Sequence, residues 1–253
     1  KFKGKTVAAL LKAVGAPLSA IEKARSYVKY SDFEEGKQGQ TEEVSLPEEY
    51  ISLSDENIKK DWIWERAVKY LASRGITKGD IYKYKIGYCR SKKYRNMVIF
   101  PLFDEKGILN YFIARSFDDK SWVKYRNPQA SKNIVPNEHL INWDVPVILV
   151  EGIFDAVAVK RNALPLLGKT IQKAVMRKLL NSNAGKIYLA LDKDAQDEAY
   201  EYCEMFLNQG KEVYLVDIKR KDPSDLGFEA FTNLLHSTLP LDEGGLLAHK
   251  LGI

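Results

Sequence analysis

The sequence is short of cysteine, histidine and long apolar runs, and each shortage excludes a class of protein. Its 253 residues include 2 cysteines, Cys89 and Cys203, which lie far apart with no CxxC pair. Neither a disulfide framework nor a zinc ribbon can be built from them. Of the 3 histidines, His139 and His236 are isolated and read as surface or capping residues rather than ligands. No apolar run approaches the roughly 20 residues that cross a bilayer. The basic start "KFKGK" leads only into a short apolar stretch followed by charged chain, unlike a secretory leader. No membrane partner is expected, and a reducing cytoplasm is the simplest home. The chain opens on Lys1 rather than Met, so an upstream segment is expected.

With 45% hydrophobic and 29% charged residues, the chain can bury a core as one large unit or two small ones. The net charge of +5 is unevenly spread. Residues 61–140 hold 16 Lys and Arg against 8 Asp and Glu, a net of +8, so the remainder carries −3. A basic block beside an acidic one suits a phosphate-binding surface next to a metal site, although charge runs more often form solvated faces.

Residues 6–30 read as two short helices, "TVAALLKAV" and "SAIEKARSYVKY". The acid-rich, apolar-poor stretch that follows reads as a linker. "WERAVKYLASRG" puts Trp64, Ala67, Val68 and Leu71 on one helical face and stops at Gly75, and a short helix in "TKGDIYKY" should follow. Short β-like runs come next: "KIGYC", "NMVIFPLFD", "ILNYFIARSF" and "SWVKY". "DEKG" marks a hairpin between the second and third, so residues 86–126 predict an antiparallel unit. From residue 147 the style changes. "VILV", "ALPLL", "KIYLALD" and "EVYLVD" are nearly continuous apolar runs separated by helical patterns, the signature of a parallel sheet covered on both faces. The expected fold class is therefore α/β, a parallel sheet flanked by helices and preceded by a smaller basic α+β subdomain. The last 26 residues read as a helix and a tail.

In an open parallel sheet, ligands sit outside the carboxyl ends of the strands. Three of the four runs end in acids there: Glu151 after "VILV", Asp192 and Asp194 in "LALDKD", and Asp217 followed by Asp222 and Asp225 in "VDIKRKDPSD". Asp192 and Asp194 are two apart and share one side of an extended segment. Asp155 is one helical turn beyond Glu151. Gathering so many carboxylates without a counter-charge costs several kcal/mol, so something cationic is expected among them. Oxygen ligands without His or Cys favour Mg²⁺ or Mn²⁺, and paired metals suit phosphoryl transfer. Any one of these acids taken alone reads more readily as an N-cap or a surface turn, whereas the set taken together favours the metal reading.

The ordered set "VEGIFDAVAV…ALPLLGKTI…LALDKDAQDEA…VDIKRKDPSDLG" resembles the topoisomerase-primase (TOPRIM) domain, whose hallmarks are Glu-Gly after the first strand and Asp-x-Asp after the third. Upstream, "YLASRGITKGDIYKYKIGY", "YRNMVIFPLFDEKGILNYFIARSF" and "WVKYRNP" resemble the RNA-polymerase core of bacterial and phage replicative primases. The resemblance runs from about residue 62 to about residue 227. It implies synthesis of short RNA primers from ribonucleoside triphosphates on single-stranded DNA. It assigns catalysis to Glu151, Asp192 and Asp194, with Asp155, Asp222 and Asp225 joining them around two or more divalent ions. It places Arg95, Asn96, Arg115, Lys124, Asn127 and Lys132 along the nucleotide and template groove.

The family's last acidic motif often reads Asp-Pro-Asp, whereas Ser224 here precedes Asp225, so the match falls on either Asp222 or Asp225. Of the zinc-binding module that normally precedes such a core, "KFKGKTVAALLKAV" resembles at most the trailing end, so no zinc is expected within these residues and the module is expected upstream or in trans. A separate replicative helicase is the other expected partner, and the host cytoplasm is the location if the chain is phage-encoded. The implied units are a helical segment at residues 1–31, an acidic linker at 32–57, a basic subdomain at 58–142, the TOPRIM domain at 143–227 and a helical tail at 228–253. A metal-dependent TOPRIM nuclease and a non-catalytic DNA-binding or loading factor are the alternatives.

"ALPLLGKT" imitates the end of a phosphate-binding loop, but Ala163 stands where the pattern needs Gly and a rigid Leu-Pro-Leu-Leu replaces the amide-rich loop. Gly168 and Thr170 read instead as the turn into the next helix. Tyr111, Phe112 and Trp122 alternate with basic residues as base-stacking platforms do, yet antiparallel strands carry aromatics for core reasons too.

Overall fold

The computed structural model describes residues 11, 14–17, 19, 20, 44–90, 92–218 and 223–252. Most of the two expected N-terminal helices, the acidic stretch as far as residue 43, and Asp222 lie outside these residues. Two sheets form the frame. An antiparallel sheet runs in the order β1 (Tyr50–Ser52), β2 (Gly87–Cys89), β3 (Met97–Phe103), β4 (Leu109–Ser116). A parallel sheet runs in the order β6 (Ala163–Pro165), β5 (Val147–Val150), β7 (Lys186–Ala190), β8 (Glu212–Leu215).

The β3–β4 hairpin closes where "DEKG" predicted. The Asp104 carboxylate accepts from the backbone N–H of Lys106 and Ile108 at 2.9 and 2.8 Å, and Gly107 takes the positive φ of 77° that the turn requires. "SWVKY" does not become a strand; it adds a single bridge, Tyr125 to Arg115. Within the stretch read as linker, Tyr50–Ser52 form β1 instead. Glycine at 87 makes this possible, because a Cβ there would lie 2.2 Å from the Tyr50 ring and 2.5 Å from the Ile51 carbonyl oxygen.

Helix α1 (Trp62–Ser73) starts at Asp61, whose side chain accepts from Ile63 and Trp64 N–H, and ends before Gly75 at φ 73°. It buries Ile63, Ala67 and Leu71, with Trp64 and Val68 packed alongside. Helix α2 (Lys78–Lys83) opens with a reciprocal cap between Thr77 and Asp80.

The central strand β5 sends Val147 and Leu149 into one core and Ile148 and Val150 into the other, so both faces of the parallel sheet are covered as its sequence required. On the first face lie α4 (Lys173–Asn181), α5 (Gln196–Asn208) and α8 (Glu243–Leu251), through residues such as Met176, Phe206 and Leu246. On the second lie α3 (Ile153–Ala158) and α7 (Phe228–Ser237), through Ala156, Phe231 and Leu235. The short α6 (Pro223–Leu226) connects to α7. The C-terminal tail is not loose. Leu241 bonds to Val213, Asp242 caps α8 by accepting from Gly245 N–H, and Lys250 pairs with Glu204 at 2.7 Å. Glycine at 245 accommodates the cap, since a Cβ there would sit 3.2 Å from the Asp242 carboxylate.

The two sheets meet at α3. All six of its residues are buried, and Ile153, Phe154 and Val157 join the core of the antiparallel sheet. The Phe154 ring stands edge-on to Phe100 at 4.8 Å and to Tyr70 at 6.0 Å, and the Arg74 guanidinium lies over it at 5.6 Å. A polar tie reinforces the contact. Lys160, two residues past α3, reaches Asp80 at 2.8 Å. Burial works to raise the Asp80 carboxyl, but hydrogen bonds from Lys160 and Thr77 prevail and hold it below the ordinary aspartate range.

Phe154→Ala should cost about 3–5 kcal/mol of unfolding free energy in a denaturant titration, because the cavity lies where two cores join. Asp80 supplies stability that is fully present above its unfolded pKa of about 3.9 and is lost as pH falls through its lower folded value. Asp80→Asn should therefore destabilise the chain by about 1–3 kcal/mol at pH 7, with the gap narrowing in melts repeated below pH 4.

Candidate active site

The chain leaves β5 at the carboxyl edge of the parallel sheet through Glu151, then enters α3 across Gly152. Two hydrogen bonds fasten this exit to its neighbours. The Glu151 carboxylate accepts from the backbone N–H of Asp192 at 3.0 Å, and its carbonyl oxygen accepts from Gly168 N–H at 3.2 Å. Asp192 ends the run from β7 and starts a single 3₁₀ turn, Lys193–Ala195, which carries Asp194. One carboxylate oxygen each from Glu151, Asp192 and Asp194 lies within 4.8 Å of the others. Glu151 and Asp192 are half-buried and Asp194 is exposed. Burial pushes the Glu151 carboxyl above the ordinary glutamate range, the Asp192 N–H opposes this, and the nearby Asp194 charge adds to it.

Asp155 stands behind this trio. It is buried on α3 and accepts from the backbone N–H of Ser224 at 3.1 Å, so it ties the start of α6 to the site. Its other carboxylate oxygen lies 2.9 Å from where a Cβ on residue 152 would be, and glycine leaves that space open. Asp225 faces elsewhere, paired with Arg74 at 3.4 Å. Among the described residues, the converging group is Glu151, Asp192 and Asp194, with Asp155 and Asp225 outside it.

Sequence reasoning did not single out Lys169 as part of the site. Its Nζ reaches the Asp194 carboxylate at 2.5 Å and the Asp194 carbonyl oxygen at 3.0 Å. That hydrogen bond raises the lysine's proton affinity and lowers that of Asp194. The cation expected among the acids is in this respect supplied by the chain itself. The signal lay in "LLGKT", set aside as a failed phosphate loop. Its turn is made by Leu167 at φ 59° and Gly168 at φ 142°.

The residues assigned to a nucleotide and template groove surround β3 and β4. Arg115 on β4 donates from Nε to the Tyr70 hydroxyl at 3.3 Å and lies over the Tyr125 ring at 4.5 Å. Lys124 and Arg95 are exposed, and Lys124 donates to the Asp119 carbonyl oxygen at 3.0 Å. Asn127 accepts from Ala114 N–H at 3.3 Å, an architectural bond. Asn96 adopts φ 59°, and its buried side-chain oxygen has no hydrogen-bond partner. Lys132 reaches across to the Leu167 carbonyl oxygen at 3.2 Å, joining the basic block to the turn that carries Lys169. Tyr111 and Phe112 are core residues, whereas Trp122 is fully exposed. Cys89 and Cys203 are buried and free.

A protein of Mycoplasma genitalium, the uncharacterized protein MG010, is 31% identical over 177 residues, which are 64% of this chain and 80% of that protein. The chain belongs to the MG010 family. A DNA primase of Clostridium acetobutylicum is 27% identical over 201 residues, 70% of this chain; the match spans 33% of that primase's length. No family model matches. The fold is that of the bacterial primase catalytic core. A DnaG primase catalytic domain bound to single-stranded DNA superposes with a TM-score of 0.62 at 20% identity, covering 76% of this chain and 79% of that one. The zinc-binding and RNA polymerase domains of the Aquifex aeolicus primase superpose with a TM-score of 0.56 at 22% identity, covering 69% of this chain and 56% of that one.

In this MG010-family chain, as the sequence implied, the acids stand at the carboxyl edge of a parallel sheet preceded by an antiparallel one. Three carboxylates with no His or Cys among them form a donor set that fits a hard divalent cation. The same geometry makes residue 152 critical. Gly152→Ala should force the Asp155 carboxylate off the Ser224 N–H, lowering stability by about 1–3 kcal/mol in a thermal melt, and a crystal structure of the variant should show the carboxylate displaced.

Proposed function

We propose that the chain is a primase catalytic core that joins ribonucleotides into short primers on single-stranded DNA. The observation that carries this reading is the convergence of Glu151, Asp192 and Asp194 beside a turn that Lys132 links to the basic block. Mg²⁺ or Mn²⁺ held by Glu151, Asp192 and Asp194 would supply charge neutralisation for the triphosphate and activation of the attacking 3′-hydroxyl. Asp155 positions the α3 end of this site from behind. In this reading Asp222 or Asp225 is the further acid of the set. With one Glu151 oxygen latched to the Asp192 N–H, the other is free to bind a cation or to take a proton, and its raised proton affinity suits the second role.

Arg95, Asn96, Arg115, Lys124, Asn127 and Lys132 form the track for template and nucleotide in a basic subdomain of residues 58–142, followed by a TOPRIM domain at 143–227. Arg115, clamped between Tyr70 and Tyr125, presents a fixed charge suited to a phosphate. Affinity for DNA should fall as salt rises. A zinc-binding module, upstream or in trans, and a separate helicase are the partners in this reading, and the cytoplasm, the host's for a phage protein, is the location. No helix among the described residues is long and apolar enough to cross a membrane.

The test is primer synthesis by purified chain with Mn²⁺ or Mg²⁺, single-stranded template, ribonucleotides and a zinc-binding module. Oligoribonucleotides should appear, and Glu151→Gln, Asp192→Asn or Asp194→Asn should each cut their yield by about 10²-fold or more. Metal-dependent DNA cleavage without nucleotides would replace this reading with a nuclease. Full biological function in Asp192→Asn would point to a non-catalytic loading factor.

A further inference from the structure

Lys169 holds a position unlike that of the other surface lysines. It is fastened by both ends to the acidic site. Its turn hangs from Glu151 through the Gly168 N–H and from Lys132 through the Leu167 carbonyl, while its ammonium sits on Asp194. Asp194 is the most exposed of the three converging carboxylates, with a side chain 70% accessible against 40% for Lys169. Lys169 engages one of the three carboxylates, Asp194, in a group whose converging oxygens suit a divalent ion. A divalent ion drawn to it would meet the ammonium on a carboxylate it needs. An exposed ion pair of this kind opens at little cost, and the flexible four-carbon stem lets the ammonium leave without moving the backbone.

We propose that Lys169 is an exchangeable counter-ion of the acidic site, competing with divalent cations for Asp194 and so setting the cation concentration at which the site fills. The inference rests on the reading of Glu151, Asp192 and Asp194 as a cation site. It is specific to this lysine. Lys132, which touches the same turn through a carbonyl oxygen only, has no carboxylate to release.

The experiment is a titration of the whole chain with Mn²⁺, following free Mn²⁺ by electron paramagnetic resonance, with no nucleotide or DNA present. Lys169→Met, and Lys169→Gln as a second neutral variant, should bind Mn²⁺ about three- to tenfold more tightly than the unmodified chain at low salt, with melting temperatures unchanged. Lys169→Arg should bind as the unmodified chain does, and the gap should shrink as salt rises. In an Asp194→Asn background, Lys169→Met should give no gain, because the competition is for that carboxylate. Equal or weaker Mn²⁺ binding by both neutral variants would overturn the proposal while leaving the cation site standing. Absence of Mn²⁺ binding in every variant would overturn the cation site as well.

Discussion

The constraint on which the structure depends is that α3 is buried on every side. A six-residue helix has little intrinsic stability, and this one persists because Ala156 and the C-cap residue Val159 face the core under the parallel sheet while Ile153, Phe154 and Val157 face the antiparallel one. Burial of that extent leaves no room for a charged residue without a partner. Asp155 is tolerated because the Ser224 N–H meets it and Gly152 leaves it space. The same helix fixes Glu151 immediately before it. Packing between the two units and the spacing of the carboxylates are therefore one problem, solved by one turn and a half of helix.

The parts of the fold with strong local patterning were legible. Continuous apolar strands alternating with helical runs gave the parallel sheet, and "DEKG" gave the hairpin. Elements that rest on distant contacts were not. β1 is three residues in an acid-rich stretch, and it exists because Gly87, some 35 residues on, lets Tyr50 and Ile51 lie against β2. The tail read after α7 contains α8, which holds through the Asp242 cap and burial of Leu246 although two glycines lie near its start. Trp122 and Tyr111 looked alike as sequence, and only three-dimensional position separates a fully exposed ring from a buried one.

The site was legible to a different depth. Glu151, Asp192 and Asp194 followed from strand ends and spacing, since neighbouring strands of a parallel sheet bring their βα junctions together at one edge. Asp225 did not join them, because Arg74, at the C-cap of α1, offers it a partner that no local pattern announces. Lys169 was overlooked for a related reason. "LLGKT" fails as a phosphate loop, and its local pattern does not specify where the lysine goes once Leu167 and Gly168 set the turn.

The order of the parallel sheet has a further consequence. The acids come from β5 and β7, the two interior strands, while β6 and β8 lie outside them. At the β8 margin, Leu241 donates to the Val213 carbonyl at 2.7 Å and the chain turns at once into α8. This single antiparallel bridge is a selvedge. It occupies a backbone acceptor that an unpaired strand would offer to a neighbouring molecule, so the sheet does not invite growth by edge-to-edge pairing on that side.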